Sequence, residues 1–404
     1  MKQKRILLVS QYFYPENFKC NDIAFELSRR GYKVDVLTNI PNYPIGSYLK
    51  GYGLFRKRKE TINGVRIFRS LVIPRKKGSF FRILNYFSFM CIASFNALIL
   101  SIFNKYDCVF VMQTSPIMQA YPGIVVKKLQ RIPLYMWILD IWPDSMISGG
   151  NIKNEHIIKA VTSIVRNVYN NCDKLLISSL KFKELVKLQG VNEEKIIYFP
   201  NWSDDILNMP KKEITFTFPE GFNIVMAGTL GGAQCLDSVI SLIKELRNID
   251  NLNWIFVGDG KKRKWFEKEI KKEKLNDNVY ILGQYSPEYM PTFFSKADAM
   301  LLTLKANWPH LSAVVPARVQ SYMAAGKPIL GMVDGGAHDL IKSFDCGYVV
   351  AANAYKDLAS VIKDIIFGDK TSFLTKGKKG RIAFEQFFTK KVCIDNLEKI
   401  MDEK

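Results

Sequence analysis

A regular alternation of short apolar runs with longer stretches of helical periodicity constrains the fold of this chain more than any other feature. The first two runs, RILLVS and YKVDVLT, are separated by a loop and a helix-like stretch that ends at Gly31. Further runs follow in the first half of the chain, namely VRIFRS, CVFVMQ, LYMWIL and KLLISS. Continuous apolar runs are typical of parallel strands buried on both faces, and their alternation with helices predicts a doubly wound α/β sheet.

The same alternation begins a second time near residue 221. The runs of this second series are FNIVMAGTL, NWIFVGDG, VYILGQY, AMLLTL, KPILGM and GYVVA. Because 404 residues exceed one ordinary domain, we predict two facing Rossmann-like domains with a ligand cleft at the carboxyl ends of their strands. The predicted bounds are 1–202 for an N-terminal domain, 203–220 for a polar, proline-containing linker, 221–385 for a C-terminal domain, and 386–404 for a helix that packs back on the N-terminal domain.

The charge balance is strongly basic, with 58 Lys and Arg against 38 Asp and Glu and a formal net charge of +20. The open explanations are a genome that favours lysine codons, an anionic membrane surface, and phosphorylated substrates. Nucleic acid ranks last, because the basic residues are scattered and the sequence contains no RNA-recognition or helix-turn-helix motif. We therefore predict no nucleic-acid partner.

The cysteines and the N-terminal sequence indicate a cellular compartment. Seven cysteines are widely spaced, none of them in a C-x-x-C pair, and the chain has three histidines. This pattern argues against a zinc site and favours buried thiols in a reducing compartment. The opening MKQKRILLVSQ runs into a strand without the apolar region and cleavage site of a signal peptide. These features predict a cytoplasmic protein.

Residues 79–103 form an apolar stretch long enough to suggest a transmembrane helix. Arg82, Asn85 and Asn96 interrupt this stretch, and basic residues at 75–77 precede it. A basic run before an aromatic-rich apolar helix is typical of an interfacial membrane contact, which we predict here in preference to spanning. The alternative is a buried helix of the N-terminal domain.

The segment VVPARVQSYMAAGKPIL, at 314–330, is composed like an anion site. Pro316 suits a first helical turn, where its missing N–H is not needed, and the free backbone N–H groups of such a turn favour an anion. Arg318 in the same turn would oppose the helix dipole unless a phosphate lay between them. We therefore predict a phosphate site at this helix start. The alternative is an arginine that points to solvent.

Glycine-containing loops directly follow predicted strands of the second series. MAGTLGGAQ, at 226–234, carries three glycines that allow a backbone to approach a phosphate or sugar closely. It is not a G-x-G-x-x-G motif, so dinucleotide binding gains little support. VGDGKKRKWFE, after the next strand, offers Lys261 and two further cations. Surface solvation explains at least two of these three cations.

In the first half, DIWPDS follows the strand LYMWIL at its carboxyl end. Asp140 in this motif would polarise or orient an acceptor hydroxyl. Asp144 is better explained as a cap of the helix that follows Pro143.

The ordered set of motifs resembles a known enzyme family. The order GTLGGAQ, FVGDG, ILGQY and VPARVQSYMAAGKPIL is similar to the donor half of the retaining glycosyltransferases of GT-B fold, the family-4 type. In the first half, ILLVSQYFYPE, RRGYKVDVLT, LDIWPDS, DKLLISSLKFKELVKLQGV and FPNWSD resemble the subgroup that builds bacterial capsule, O-antigen (lipopolysaccharide) and colanic-acid-type polysaccharides.

The resemblance implies that the second domain binds a nucleotide-sugar donor and that Arg318 neutralises its pyrophosphate. Two glutamates that the family usually carries are absent, because Ala313 and Ser321 stand in their positions. Ser321 would hydrogen-bond the ribose as a neutral group. The sequence has no D-x-D motif, so neither a metal nor another cofactor is expected. The implied donor-binding residues are Gly228, Thr229, Leu230, Gly231, Lys261, Gln284, Tyr285, Pro316, Ala317 and Ser321.

The resemblance also implies that the first domain holds the acceptor. Asp140 and Arg318 are the predicted catalytic residues. The predicted acceptor-binding residues are Tyr14, Pro15, Glu16, Asn17, Asn42, Tyr43 and His310.

Together these features predict a metal-independent, retaining glycosyltransferase of hexosyl or N-acetylhexosaminyl type. Its expected substrates are a nucleotide-sugar, first of all a UDP-sugar, and a polyprenyl-pyrophosphate-linked saccharide. The expected location is the cytoplasmic face of the cell membrane, with peripheral attachment to an anionic surface. Two alternatives remain: a nucleotide-sugar epimerase with the same two domains, and a catalytically silent subunit that binds lipid or a partner enzyme. The missing glutamates support the silent subunit.

Overall fold

The computed structural model describes residues 3–76, 78–150, 152–306 and 309–403. The chain divides into two compact units. The first comprises the residues up to Phe199 together with those from Ile394 onward, and the second comprises Pro200–Cys393.

The first unit alternates strands with helices. Its strands are β1 (Arg5–Val9), β2 (Lys33–Asn39), β3 (Lys59–Ile62), β4 (Val65–Ser70), β5 (Cys108–Gln113), β6 (Leu134–Ile138), β7 (Lys174–Ile177) and β8 (Ile196–Tyr198). Its helices are α1 (Lys19–Arg29), α2 (Ser79–Phe103), α3 (Tyr121–Gln130), α4 (Asp144–Gly150), α5 (Glu155–Asn171) and α6 (Phe182–Lys187).

In the described residues the first unit forms one eight-stranded sheet of order β3-β4-β2-β1-β5-β6-β7-β8. The predicted strands are all present, and they pair in parallel. The sequence analysis missed β3 and β8. β3 pairs antiparallel with β4 through a two-residue turn at Asn63 and Gly64, both with positive φ. Asn-Gly is the usual sequence of such a hairpin turn, so this signal was available in the sequence.

Helix α2 is buried on one side only. Asn85, Phe89, Ala93 and Ala97 are fully buried, whereas the opposite side is exposed. Within the described residues, one helix segment, Phe80–Phe103, is long and apolar enough to cross a membrane. Its mean hydropathy is 1.8, and 33% of its most apolar stretch is buried inside the protein. α2 therefore packs one side on the protein and leaves a second side exposed that is also apolar.

The second unit repeats the alternation. Its strands are β9 (Phe222–Ala227), β10 (Leu252–Val257), β11 (Val279–Gly283), β12 (Ala299–Thr303), β13 (Ile329–Met332) and β14 (Gly347–Val350). Its helices are α7 (Leu236–Glu245), α8 (Arg263–Lys272), α9 (Met290–Lys296), α10 (Pro309–Ala313), α11 (Arg318–Ala324), α12 (Gly335–Ser343), α13 (Tyr355–Phe367) and α14 (Lys370–Ala383). The last helix, α15 (Lys390–Asp402), begins in the second unit and continues into the first.

The described strands of the second unit form a six-stranded, fully parallel sheet of order β11-β10-β9-β12-β13-β14. Hydrophobic clusters cover both of its faces, and neighbouring residues of one strand, such as Trp254 and Ile255, belong to opposite clusters. This is why the strands appear in the sequence as continuous apolar runs.

The segment predicted as a linker, 203–220, packs against the second unit. Ile206 is part of its core, and the rings of Phe216 and Phe218 contact Tyr280 and Phe293. The sequence analysis weighed the polar residues and prolines of this segment and gave too little weight to its alternating phenylalanines.

The C-terminal residues from Ile394 onward belong to the first unit. There the guanidinium of Arg30 contacts Asp395 at 2.6 Å and Glu398 at 2.5 Å.

Candidate functional site

Glycines bring the loops after β9 and β10 into backbone contact in the second unit. Gly228, with φ +130°, donates its N–H to the Val257 carbonyl at 2.9 Å. Gly258 has φ +153°, and a Cβ added there would lie 1.8 Å from the Gly228 carbonyl oxygen. The Leu230 N–H donates to the Asp259 carbonyl at 2.9 Å. A side chain at Gly258 would separate the two loops, so the sequence must have glycine there.

Arg318 lies over this glycine loop, as the motifs predicted. A Cβ added at Gly228 would lie 3.2 Å from Arg318 Cδ and 3.7 Å from its Nη1. That Nη1 atom is buried and has no hydrogen-bond partner among the residues that the structure describes. Nor does Arg318 form an ion pair with a carboxylate in the described part of the chain. A half-buried cation with an unsatisfied donor favours an anion at this place.

The helix that carries Arg318 begins later than the sequence analysis expected. Pro316 was predicted in its first turn, but α11 begins at Arg318, and Pro316 and Ala317 precede it. The Pro316 carbonyl accepts from the Val319 N–H at 2.9 Å. Arg318 is thus the first helical residue, directly beside the exposed Ala317.

Ser321 and Gln320, both on α11, differ in the hydrogen bonding of their side chains. The Ser321 hydroxyl, predicted to contact the ribose, lies 2.9 Å from the hydroxyl of Ser203 and also contacts the Ala317 carbonyl at 3.3 Å. Gln320 is fully buried, and neither of its amide atoms has a partner among the described residues. The sequence analysis did not single out Gln320, because nothing in the motif distinguishes it from a surface polar residue.

Several other predicted donor residues are exposed or contact neighbouring side chains. Thr229, Lys261 and Gln284 are exposed. The Gly231 N–H donates to the Gln234 side chain at 3.1 Å. The Tyr285 ring packs on Phe293, with ring centroids 4.8 Å apart.

Arg263, rather than Lys261, packs on a glycine turn. A Cβ added at Gly283 would lie 2.9 Å from Arg263 Nη1. Arg263 is neutralised by Glu267 at 2.8 Å and by Asp259 at 3.3 Å.

In the first unit, Asp140 follows β6 and is held by two donors. Its Oδ2 accepts from Trp142 Nε1 and from Ser145 Oγ, each at 3.1 Å. Burial raises the pKa of Asp140, and these hydrogen bonds partly oppose the shift. Asp144 is the first residue of α4.

A cavity of about 610 Å³ adjoins Asp140. Its walls are mainly apolar side chains of α2 and α5, such as Ile83, Phe87 and Ile164. Arg75 and Arg82 also line it. The first unit therefore places a carboxylate and two cations around an apolar cavity that no sequence motif had indicated.

Glu16 joins two predicted acceptor loops. Its Oε1 accepts from the N–H groups of Asn42, at 2.8 Å, and Tyr43, at 2.6 Å. Burial raises the pKa of Glu16, and its Oε2 is buried without a partner among the described residues. Asn42 is fully buried, and its side chain donates to the Ile40 carbonyl at 2.9 Å. Glu16 and Asn42 thus hold the conformation of these loops through hydrogen bonds to the backbone.

The remaining predicted acceptor residues lie at the surface or outside the described side chains. Tyr14, Pro15, Asn17 and Tyr43 are exposed. The backbone of His310 lies in α10, in the second unit, and its side chain lies outside the described residues.

Three polar residues missed by the sequence analysis lie at the carboxyl ends of adjacent strands. Gln11 follows β1, Asn39 ends β2, and Gln113 ends β5. All three are buried, and each has at least one side-chain atom without a partner in the described ranges. Buried polar atoms are usually paired, so this edge of the sheet is suited to a polar ligand. Their position directly after apolar runs was the available signal.

No cluster of three or more His, Cys, Asp or Glu side chains that could hold a metal ion occurs in the parts of the chain that the structure describes. The predicted independence of metal stays a prediction.

Comparison with known proteins agrees with this architecture. The family model of glycosyl transferases group 1 matches residues 208–372. WcaI of Escherichia coli (strain K12), provisionally named a colanic acid biosynthesis glycosyl transferase, is 24% identical over 313 residues, which cover 74% of this chain and 75% of WcaI.

Solved structures are similar over nearly the whole chain. Sucrose-phosphate synthase from Thermosynechococcus elongatus has a TM-score of 0.74 at 15% identity and covers 98% of both chains. Anabaena Alr3699/HepE in complex with UDP-glucose has a TM-score of 0.65 at 15% identity, covering 98% of this chain and 99% of its own. The predicted fold and the family resemblance are confirmed. The chain is a glycosyltransferase of the GT-B fold, with a glycosyl transferases group 1 domain in its second unit.

Proposed function

We propose that the protein transfers a sugar from a UDP-sugar, with retention of configuration and without a metal, to a lipid-linked saccharide in bacterial surface polysaccharide synthesis. The observation that carries this proposal is Arg318, whose buried Nη1 lies over the Gly228 loop and has no hydrogen-bond partner in the described part of the chain. WcaI, with its colanic acid name, and HepE, solved with UDP-glucose, support the polysaccharide product and the UDP donor.

The donor half of the proposal follows from the charge that develops during transfer. When the nucleoside diphosphate leaves, negative charge builds on a phosphate oxygen, and a preorganised cation stabilises that charge as it forms. Arg318 supplies two parallel N–H donors in a fixed fork, which suits a phosphate. The glycines at 228 and 258 keep side chains away, so the backbone can approach the phosphates.

The acceptor half rests on the cavity beside Asp140. An apolar cavity bordered by Arg75 and Arg82 suits a ligand with a hydrocarbon chain next to phosphate. Asp140, in the same cavity, would accept a hydrogen bond from the attacking hydroxyl and orient it. A polyprenyl-pyrophosphate-linked saccharide has all three chemical features: a hydrocarbon chain, phosphate groups and an attacking hydroxyl.

Helix α2 supports attachment to the cytoplasmic face of the cell membrane. Its exposed side is an apolar stripe at helical spacing, which we call the α2 stripe: Phe80, Ile83, Phe87, Cys91, Phe95, Leu98, Ile99, Ile102 and Phe103. A helix with one side packed on protein and the other exposed and apolar lies in a membrane interface rather than across it. The net charge of +20 adds attraction to anionic lipids.

Replacing Phe87 and Phe95 together by serine is expected to weaken binding to vesicles by about tenfold or more, because two exposed aromatic side chains no longer enter the bilayer. The measurement is co-sedimentation with vesicles of phosphatidylcholine and phosphatidylglycerol. The matched control replaces Phe367 and Leu374, which are also exposed but lie in the second unit. Equal losses in both double variants would remove the α2 stripe from the proposal.

The whole proposal is tested by a transfer assay with detergent-purified protein, a panel of UDP- and GDP-sugars, and short polyprenyl-pyrophosphate-linked sugars. We expect one UDP-sugar to give a product larger by one sugar, detected by mass spectrometry, with the donor's anomeric configuration kept and with activity unchanged by a chelator. Binding of UDP without transfer to any acceptor would favour the catalytically silent subunit. Conversion of the donor sugar itself would favour the epimerase.

A further inference from the structure

A second cavity, of about 400 Å³, lies between the β3–β4 hairpin and the C-terminal part of α2. Four cations line it: Arg58, Lys59, Arg66 and Arg69. It is separate from the Asp140 cavity, which adjoins the N-terminal part of α2. The proposed transfer reaction has no use for this basic cavity.

The positive charge of this basic cavity is only partly neutralised. Asp35 pairs with Arg66 at 2.5 Å, and it also contacts Arg5 at 3.1 Å. Glu60 pairs with Arg69 at 2.5 Å. In the described ranges the four lining cations are thus matched by two carboxylates, one of which is shared with a fifth cation.

Arg58 illustrates this incomplete neutralisation of the positive charge. Its guanidinium donates to the carbonyls of Arg69, at 2.7 Å, and Leu54, at 3.1 Å, but meets no carboxylate in the described part of the chain. Burial lowers the pKa of Arg58. Neighbouring Lys59 is exposed and likewise has no carboxylate partner among the residues described. An anion between them would offset the burial of positive charge.

Arg69 is a second, independent case of a lining arginine whose hydrogen bonding is incomplete. The residue is 2% exposed, and its Nη1 is buried without a hydrogen-bond partner in the described ranges. Its other two guanidinium nitrogens are engaged, with Glu60 and with the Tyr14 carbonyl at 2.8 Å. A buried guanidinium nitrogen is normally satisfied, so Arg69, which lines this cavity, carries a positive charge that the described residues leave partly unsatisfied.

The remaining wall of the cavity is apolar and belongs to the α2 stripe. Ile99 and Phe103 line the cavity, and Phe103 is 78% exposed. A ligand bound here would therefore place an anionic group on the arginines and an apolar part along the exposed helix. This combination is typical of an amphiphile rather than of a free anion.

We propose that this basic cavity binds the phosphate of an anionic membrane lipid, with the lipid's hydrocarbon chains lying along the α2 stripe. The inference rests on the membrane attachment in the proposed function and adds a specific headgroup site to it. Such a site would fix the orientation of α2 on the bilayer, in addition to the general attraction of a basic surface.

The test compares an Arg58→Gln/Lys59→Gln double variant with a Lys268→Gln/Lys271→Gln control, which removes two charges from exposed positions of α8. Binding is measured by co-sedimentation with phosphatidylcholine vesicles with and without phosphatidylglycerol. We expect the cavity variant to bind the anionic vesicles about tenfold more weakly, and the control less than about twofold. Equal losses in the two variants would mean a diffuse charge effect and overturn the site.

Two further arms separate the ligand sources and guard against misfolding. Calorimetric titration should show soluble dihexanoyl phosphatidylglycerol binding at least about tenfold more tightly than inorganic phosphate, because phosphate alone cannot use Ile99 and Phe103. Equal affinities would make this a free-phosphate site and overturn the lipid assignment. Lys59→Glu, at an exposed position, keeps the carbonyl contacts of Arg58 and should reproduce the loss of vesicle binding. None of these measurements uses donor or acceptor, so a protein that transfers no sugar can still pass them.

Discussion

Replacement of Arg318 by alanine is expected to weaken UDP binding by more than about tenfold, the effect of losing a charge-assisted hydrogen bond, and to lower the kcat/KM of sugar transfer by about 100-fold. The transfer effect exceeds the binding effect because charge on the leaving phosphate grows in the transition state. The measurements are calorimetric titration with UDP and initial rates of transfer.

Two further variants distinguish the function of Arg318 from a structural effect. Arg263→Ala removes an arginine that also packs on a glycine turn but is already neutralised by Asp259 and Glu267. It should change UDP affinity less than about threefold, since little positive charge is left to attract an anion. Arg318→Lys keeps the charge without the planar fork and should give an intermediate loss. If Arg318→Ala bound UDP as the wild type does, the pyrophosphate would have to lie elsewhere.

The sheets were predictable because both are buried on two faces. Strands such as β5 and β10 have every residue buried, so they stand out as uninterrupted apolar runs. β3 gave no such signal, because it is an edge strand whose residues alternate between exposed and half-buried. Its hairpin was recognisable only from Asn63 and Gly64. Similarly, two phenylalanines in a polar segment were too weak a pattern to show that 203–220 is packed.

Sequence motifs singled out residues that the structure brings together where each motif is local. Arg318 and Gly228 were predicted from two separate motifs, and the structure brings them into contact. The pairing of Ser321 with Ser203 was not predictable, because 118 residues separate them and neither hydroxyl is distinguished by its neighbours. The Asp140 cavity was not predictable for the same reason, since its walls come from helices far apart in the sequence. Such contacts depend on tertiary packing, which periodicity does not encode.

Replacement of Asp140 by asparagine is expected to lower the kcat of transfer by about 100-fold or more, with a much smaller change in the KM for the acceptor. Asparagine keeps an oxygen that can accept from Trp142 and Ser145, so the loop should hold its shape. It loses the negative charge that polarises the hydroxyl. Asp144→Asn, at the first residue of α4, is the matched control and should retain transfer within about threefold.

The pH dependence of kcat/KM is a second test of the role of the Asp140 carboxyl group. Burial raises the pKa of Asp140 above its ordinary value, which is about 3.9 for an aspartate. The ionised form is the active one, so transfer should fall as pH decreases through this raised pKa, and the acid limb should lie above that of an exposed carboxylate. Asp140→Asn should remove this limb and leave a lower, flatter profile. A variant that kept both the acid limb and the wild-type rate would show that Asp140 only supports the loop through Trp142 and Ser145, and another group would have to orient the acceptor.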